Sequence, residues 1–212
     1  MTLPTLYPRA PPLSDRTPAD RVPLQSTARL RPVILIVAGV SGSGKTTVGV
    51  LLAERLHWLF ADADGFHPEA NVAKMRAGIP LTDEDRWPWL RAIADWMDAQ
   101  IAADQSAVVT CSALKRSYRD LLLRERPEAT MVFLNAGREE LLRRLSTRQG
   151  HFFPRQLLDT QLAATEPPEA DEQVLTVQAD DAGATEITAK IINMLWPLGA
   201  PHSEGRPAPD VL

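Results

Sequence analysis

The chain has 212 residues, a formal net charge of −4 and a single cysteine, and 44% of its residues are hydrophobic. That length suits one domain with a real core. The acidic balance argues against a global basic field that recruits nucleic acid or anionic membrane, and one cysteine excludes an internal disulfide framework and fits a reducing compartment. No apolar stretch approaches the roughly 18 residues of a membrane span, and the N-terminus lacks a signal-peptide h-region. Cytoplasm is the expected compartment.

Residues 1–31 are rich in proline and arginine. Pro4, Pro8, Pro11, Pro12, Pro18 and Pro23 would break an amphipathic helix, and Asp15 and Asp20 have the wrong sign for a transit peptide. The segment reads as a disordered extension, and 197–212, with Pro201, Pro207 and Pro209, as a disordered tail. Residues 32–196 read as one domain.

Its first element is the β-branched apolar run 33–38, the pattern of a strand buried on both faces. Gly39-Val40-Ser41-Gly42-Ser43-Gly44-Lys45-Thr46 follows, a complete G-x-x-x-x-G-K-[ST] phosphate-binding loop. The glycines let the backbone curl its N–H groups toward phosphate oxygens. Lys45 supplies charge to the β- and γ-phosphates, and the Thr46 hydroxyl is placed to ligate Mg²⁺. Val48, Leu51, Leu52 and Leu56 recur at helical spacing, so the loop feeds a helix N-terminus that favours anions. Residues 39–46, with Thr47, are therefore assigned to a nucleoside triphosphate.

A second strand at 58–61 ends in Asp62-Ala63-Asp64. A helix is expected over 69–77, a long one capped by Thr82 through about 104, and strands at 107–111, 131–134 and 174–177. Helices at about 115–125, 138–148, 154–164 and 184–195 connect or flank them. Strands separated by helical crossovers imply a parallel sheet covered on both faces, with ligands at the carboxyl ends of the strands.

Asp62 and Asp64, two apart, are expected on one face of the strand end. One carboxylate would hold Mg²⁺ through water while the other accepts the proton of an attacking hydroxyl. His67 alone is a weak signal. Arg144, Arg148 and His151 lie on and just after a helix, followed by Gly150 and Phe152-Phe153-Pro154. This reads either as a lid over about 146–165 that neutralises the transferring phosphoryl group, or as an ordinary solvated helix face. Arg86, Lys115, Arg116 and Arg119 supply cations near the carboxyl edge, where an anionic acceptor needs them. Cys111 reads as a small buried apolar residue, not a nucleophile.

Several blocks together resemble the gluconokinase family: Gly39–Lys45, Asp62-Ala-Asp-Gly-Phe-His-Pro68, Asn71 with Lys74-Met75, and Gly78-Ile-Pro-Leu81. Asp83-Glu-Asp-Arg-Trp-Pro-Trp-Leu90, Cys111-Ser-Ala-Leu-Lys115, Tyr118-Arg119-Asp120, Gly150-His-Phe-Phe153, Gln161 and Glu166-Pro167 continue it. The resemblance spans about 33–196. It implies an α/β P-loop NTPase fold like that of shikimate and nucleoside monophosphate kinases, with a five-stranded parallel sheet, a lid and usually a homodimer. The implied reaction is ATP- and Mg²⁺-dependent phosphorylation of D-gluconate on its 6-hydroxyl, feeding the pentose phosphate or Entner–Doudoroff routes.

In that reading Lys45, Asp64 and Arg148 are catalytic, and Thr46 and Asp62 serve the metal, although the two aspartates could exchange roles. Arg144 joins the nucleotide site, and Asp64, His67, Lys74, Arg86 and Lys115 face gluconate. Ala63 departs from the glycine usual between the aspartates, and Thr165 from the leucine usual before Glu-Pro. A kinase for shikimate or another sugar acid, and a catalytically silent nucleotide-binding regulator, are the competing readings.

Overall fold

The computed structural model describes residues 31–147, 155–180 and 182–196. Five strands, β1 (Ile34–Ala38), β2 (Leu59–Asp62), β3 (Ala107–Cys111), β4 (Ala129–Asn135) and β5 (Val174–Gln178), form one sheet in the order β2-β3-β1-β4-β5. All four pairings are parallel. Seven α-helices accompany them: α1 (Lys45–Leu56), α2 (Glu69–Arg76), α3 (Asp83–Ala102), α4 (Arg116–Leu123), α5 (Arg138–Thr147), α6 (Arg155–Ala164) and α7 (Ala184–Leu195). The five-stranded parallel α/β architecture expected from the sequence is present, and every expected strand and helix has its counterpart.

The three central strands, β3, β1 and β4, are buried on both faces because they are apolar at successive positions, while the edge strands β2 and β5 stay partly exposed. Ile34, Ile36, Val109 and Met131 point to one side, where α3 supplies Leu90, Ile93 and Met97. Leu35, Val37, Val108 and Val132 point to the other, against Val48 and Leu52 of α1 and Ile187 and Ile191 of α7. Each of these side chains is at most 2% exposed, so removing any of them would open a cavity rather than a surface dent. Strand β1 lies at the sheet centre between β3 and β4, in register Ala38↔Cys111 and Ala38↔Phe133. Its carboxyl end therefore delivers the phosphate loop to the crevice between diverging crossovers, where such sheets bind ligands.

Thr82 caps α3 as expected. Its side chain accepts from Asp85 N while the Asp85 carboxylate accepts from Thr82 N, a reciprocal capping box. The expectation for the paired aspartates needs correction. Strand β2 ends at Asp62, and Ala63–Phe66 form a 3-10 turn. Asp62 caps that turn, its Oδ1 accepting from Asp64 N at 3.1 Å. The two carboxylates thus leave from different backbone geometries rather than one strand face, because a short acidic side chain can satisfy a turn's leading N–H.

The expected extension and tail lie outside the described residues, apart from Arg31. Of the segment expected as a lid, 148–154, with Arg148 and His151, also lie outside them. Residues 155–164 form α6, whose Leu158 is fully buried with Leu141 of α5.

Candidate active site

The phosphate loop runs between β1 and α1 with Gly39, Gly42 and Gly44 at φ 136°, 84° and 98°, values that side chains rarely adopt. A Cβ on Gly39 would also stand 2.6 Å from the Leu134 carbonyl oxygen, so the loop's first residue is constrained by its neighbour strand as well as by its own torsion. Lys45 Nζ donates to the Val40 carbonyl at 2.9 Å, folding the ammonium back over the loop. Helix α1 starts at Lys45, so its unpaired leading N–H groups and its positive dipole end face the same place.

Beside it, Thr46 Oγ1 donates to Asp62 Oδ2 at 3.1 Å. One carboxylate therefore joins the loop hydroxyl to the turn that carries Asp64. The Asp64 side chain itself is exposed and makes no hydrogen bond among the described residues. The sequence expectation of two aspartates with separate duties gains a geometry here, since one is engaged and the other open. Among the described residues, no cluster of three or more His, Cys, Asp or Glu is arranged to hold a metal. A hydroxyl and one carboxylate suit Mg²⁺ that keeps waters and brings phosphate ligands with it.

Arg144 braces the phosphate loop. Its Nη1 donates to the Ser43 carbonyl at 3.1 Å and its Nη2 to the carbonyls of Ala179 and Ala182. Its Nε meets Glu140 at 2.5 Å. Arg143 and Arg144 together hold the Glu140 carboxyl down at about 2. A cleft of about 360 Å³ opens here, lined by Gly44, Thr47, Val48, Arg144, Ala182 and Gly183. Its position at the start of α1, with a planar guanidinium on one wall, is suited to the base and ribose of a nucleotide.

On the other side of Asp64 lies a polar cluster built on α2, α3 and α4. His67 stacks on Trp89 with ring centroids 4.4 Å apart, while Trp89 Nε1 donates to the Ala63 carbonyl at 2.7 Å. Burial lowers the His67 pKa, with Asp64 opposing and Arg86 reinforcing the shift. These three expected site residues therefore lie close enough to sense one another. The buried Asn71 amide donates to the Asp85 carbonyl at 2.8 Å and lies 3.4 Å from His67 Nδ1.

The expected cations are not equivalent. Lys74 is held by Asp85 at 2.6 and 2.8 Å, and Lys115 by Asp83 at 2.7 and 2.9 Å. Tyr118 donates its hydroxyl to the same Asp83 at 2.6 Å. Among the described residues the Arg86 side chain keeps only the loosest contacts, 3.4 Å to Asp83 and 3.5 Å to the Tyr118 oxygen. Sequence reasoning placed Lys74 and Lys115 as acceptor-facing cations and missed the carboxylates that hold them. Asp83, Asp85, Asn71, Trp89 and Tyr118 all fall inside the blocks of family resemblance, which was the available signal. Cys111 is buried behind the loop at the end of β3, and desolvation pushes its thiol up to about 12.

A phosphate loop, a nucleotide-sized cleft on one side and a hydrogen-bonding acceptor wall on the other define a P-loop kinase for a small molecule. The family model of shikimate kinase matches residues 41–196. A gluconokinase from Gluconobacter oxydans (strain 621H) is 50% identical over 151 residues, covering 71% of this chain and 85% of that protein. The crystal structure of a sugar kinase from Janibacter sp. HTCC2649 superposes with a TM-score of 0.72 at 44% identity, over 77% of this chain and 94% of that one. That of a gluconokinase from Sinorhizobium meliloti 1021 gives 0.68 at 42% identity, over 76% and 90%. The chain belongs to the gluconokinase family, within the broader shikimate kinase-like group of ATP-using enzymes.

Proposed function

We propose that this chain transfers the γ-phosphoryl group of ATP to the 6-hydroxyl of D-gluconate, giving 6-phospho-D-gluconate and ADP. Kinship with gluconokinases supports the acceptor. The observation that carries the chemistry is the division of labour between the two aspartates: Asp62 is engaged by Thr46, while the Asp64 carboxylate stands open.

In this reading Asp64 accepts the proton of the gluconate 6-hydroxyl as its oxygen bonds to the γ-phosphorus, and the bond from that phosphorus to the ADP oxygen breaks. Lys45 and the loop N–H groups hold the phosphates and their growing charge. Thr46 and Asp62 would hold Mg²⁺, which neutralises charge on the β- and γ-oxygens when bound. Arg144 and residues 39–47 position the nucleotide. Arg148 as a second cation on the phosphoryl group rests on its sequence position alone.

Gluconate presents one carboxylate and a row of hydroxyls. Arg86, whose protein contacts are long, is the cation best available for the carboxylate, and its planar fork suits bidentate pairing. Neutral His67 offers one donor and one acceptor to hydroxyls. Lys74 and Lys115 act mainly by fixing Asp85 and Asp83, which sets the acceptor wall. A cytoplasmic homodimer completes the proposal; among the described residues no helix is long and apolar enough to cross a membrane.

The test is ADP release from ATP and Mg²⁺ with D-gluconate, shikimate and AMP as separate acceptors, with the product oxidised by 6-phosphogluconate dehydrogenase. Turnover with gluconate alone is the expected result. Turnover only with another acceptor would replace the substrate, and tight ATP binding without any turnover would favour a silent regulator.

A further inference from the structure

Helix α6 makes one contact that the mechanism above does not use. The backbone N–H of Ser41, at the apex of the phosphate loop, donates to Gln161 Oε1 at 2.8 Å. A backbone N–H only donates, so this bond fixes which end of the Gln161 amide is oxygen. The other end is an NH₂ group with no protein acceptor among the described residues. It is held one bond beyond a carbon whose oxygen already touches the loop. Lys45 Nζ rests on the carbonyl of Val40, the residue before Ser41. Since that lysine serves the β- and γ-phosphates, Ser41 belongs to the γ end of the loop.

The seat of Gln161 is built without its own side chain. Leu158 is fully buried beside Leu141, and Leu162 packs on the same core. Asp159 pairs with Arg138 of α5 at 2.7 Å. Past the end of α6, Glu166 N donates to the Leu114 carbonyl at 2.8 Å, and the buried Arg119 donates to the Glu166 carbonyl at 2.9 Å. A half-buried, half-bonded amide placed this firmly is more than a packing element.

We propose that Gln161 is a γ-phosphate ligand: its Oε1 holds the Ser41 N–H while its Nε2 donates to the phosphoryl group that ATP transfers. This rests on the assignment of ATP to the phosphate loop and not on the identity of the acceptor. The side chain would then distinguish ATP from ADP, and it would strengthen its contact as charge develops on the migrating phosphoryl oxygens.

The experiment uses the full chain and two variants. Gln161→Glu keeps an acceptor for Ser41 N–H and removes the donor; Gln161→Met keeps the size and removes both without adding charge. Binding of ADP and of a non-hydrolysable ATP analogue is measured by calorimetry, beside kcat and thermal midpoint. Both variants are expected to keep ADP affinity within about twofold, to bind the ATP analogue at least about tenfold more weakly, and to lose about 10²-fold in kcat. Equal loss toward ADP and the analogue would overturn the proposal, because the side chain would then only shape the loop. An effect confined to Gln161→Glu would overturn it too, since that reports proximity to charge without donation. The affinity comparison needs no acceptor, so it stands even where gluconate turnover fails.

Discussion

At the scale of single residues, the site separates groups that bind from groups that hold other groups. Lys45→Ala is expected to lower kcat by at least about 10²-fold with the thermal midpoint nearly unchanged, because its work is charge placement on phosphate. Asp64→Asn should abolish transfer while sparing ATP binding, and a fully active variant would remove Asp64 as base. For Arg86→Ala the gluconate KM is expected to rise well above any change in the ATP KM. His67 carries a pH signature. Its folded pKa lies below the ordinary value, so the neutral ring stabilises the fold above about pH 6.5, and this contribution is lost as pH falls through the depressed value. Denaturant titrations between pH 7 and 5 should show a shallower loss in His67→Gln.

The phosphate loop was fully legible in the sequence because its spacing is tied to one ligand. The pair Asp62 and Asp64 stood out in the sequence and was misread as geometry, since an Asp-x-Asp run describes a strand end and an Asx-capped turn equally well. Lys74 and Lys115 looked available because their carboxylate partners lie 11 and 32 residues away in sequence, beyond any local pattern.

At the scale of elements, packing against the sheet sets the tolerances. Gly49 sits in α1 where a Cβ would meet Thr110 Cγ2 at 2.7 Å and Phe60 Cε2 at 3.0 Å. Helix propensity alone says that alanine stabilises here. We expect the opposite, a loss of about 1–3 kcal/mol in chemical denaturation, because α1 cannot move off β3 without disturbing the loop. Helix α4 is tied to the segment before β5 by Arg119, 0% exposed, bonded to Glu172 at 2.6 and 2.8 Å and to the carbonyls of Ala113, Leu114 and Glu166. Removing one partner of such a buried pair leaves an uncompensated charge, and Glu172→Ala should cost about 3–5 kcal/mol.

These elements were readable because continuous apolar runs alternate with helical periodicity. Their tethering was not, because Arg119 reads as one more surface cation after β3. Burial is a tertiary fact, and nothing in the spacing of 115–119 distinguishes Arg116, paired on the surface with Asp171, from Arg119, sealed inside.

At the scale of the whole molecule, four crossovers join five parallel strands around one crevice. The sequence predicted a parallel sheet without its strand order. Order follows from which edge each crossover reaches, and all the strands share the same apolar character. The arrangement places β1 centrally, so whatever binds its loop braces the sheet as well as the site. A non-hydrolysable ATP analogue at about 100 times its Kd is expected to add about 2.7 kcal/mol of stability, read as a raised thermal midpoint.

The lone thiol turns that central position into a gauge. Cys111 is 2% exposed, level with Ala38 where the phosphate loop begins, and held protonated with a pKa near 12. Among the cysteines of the chain it has no competitor, so its reaction with a disulfide reagent clocks the opening of the sheet directly beneath the nucleotide. A dye placed through an exposed Glu54→Cys would meanwhile react alone in the folded state, with the native thiol left in place as an internal control.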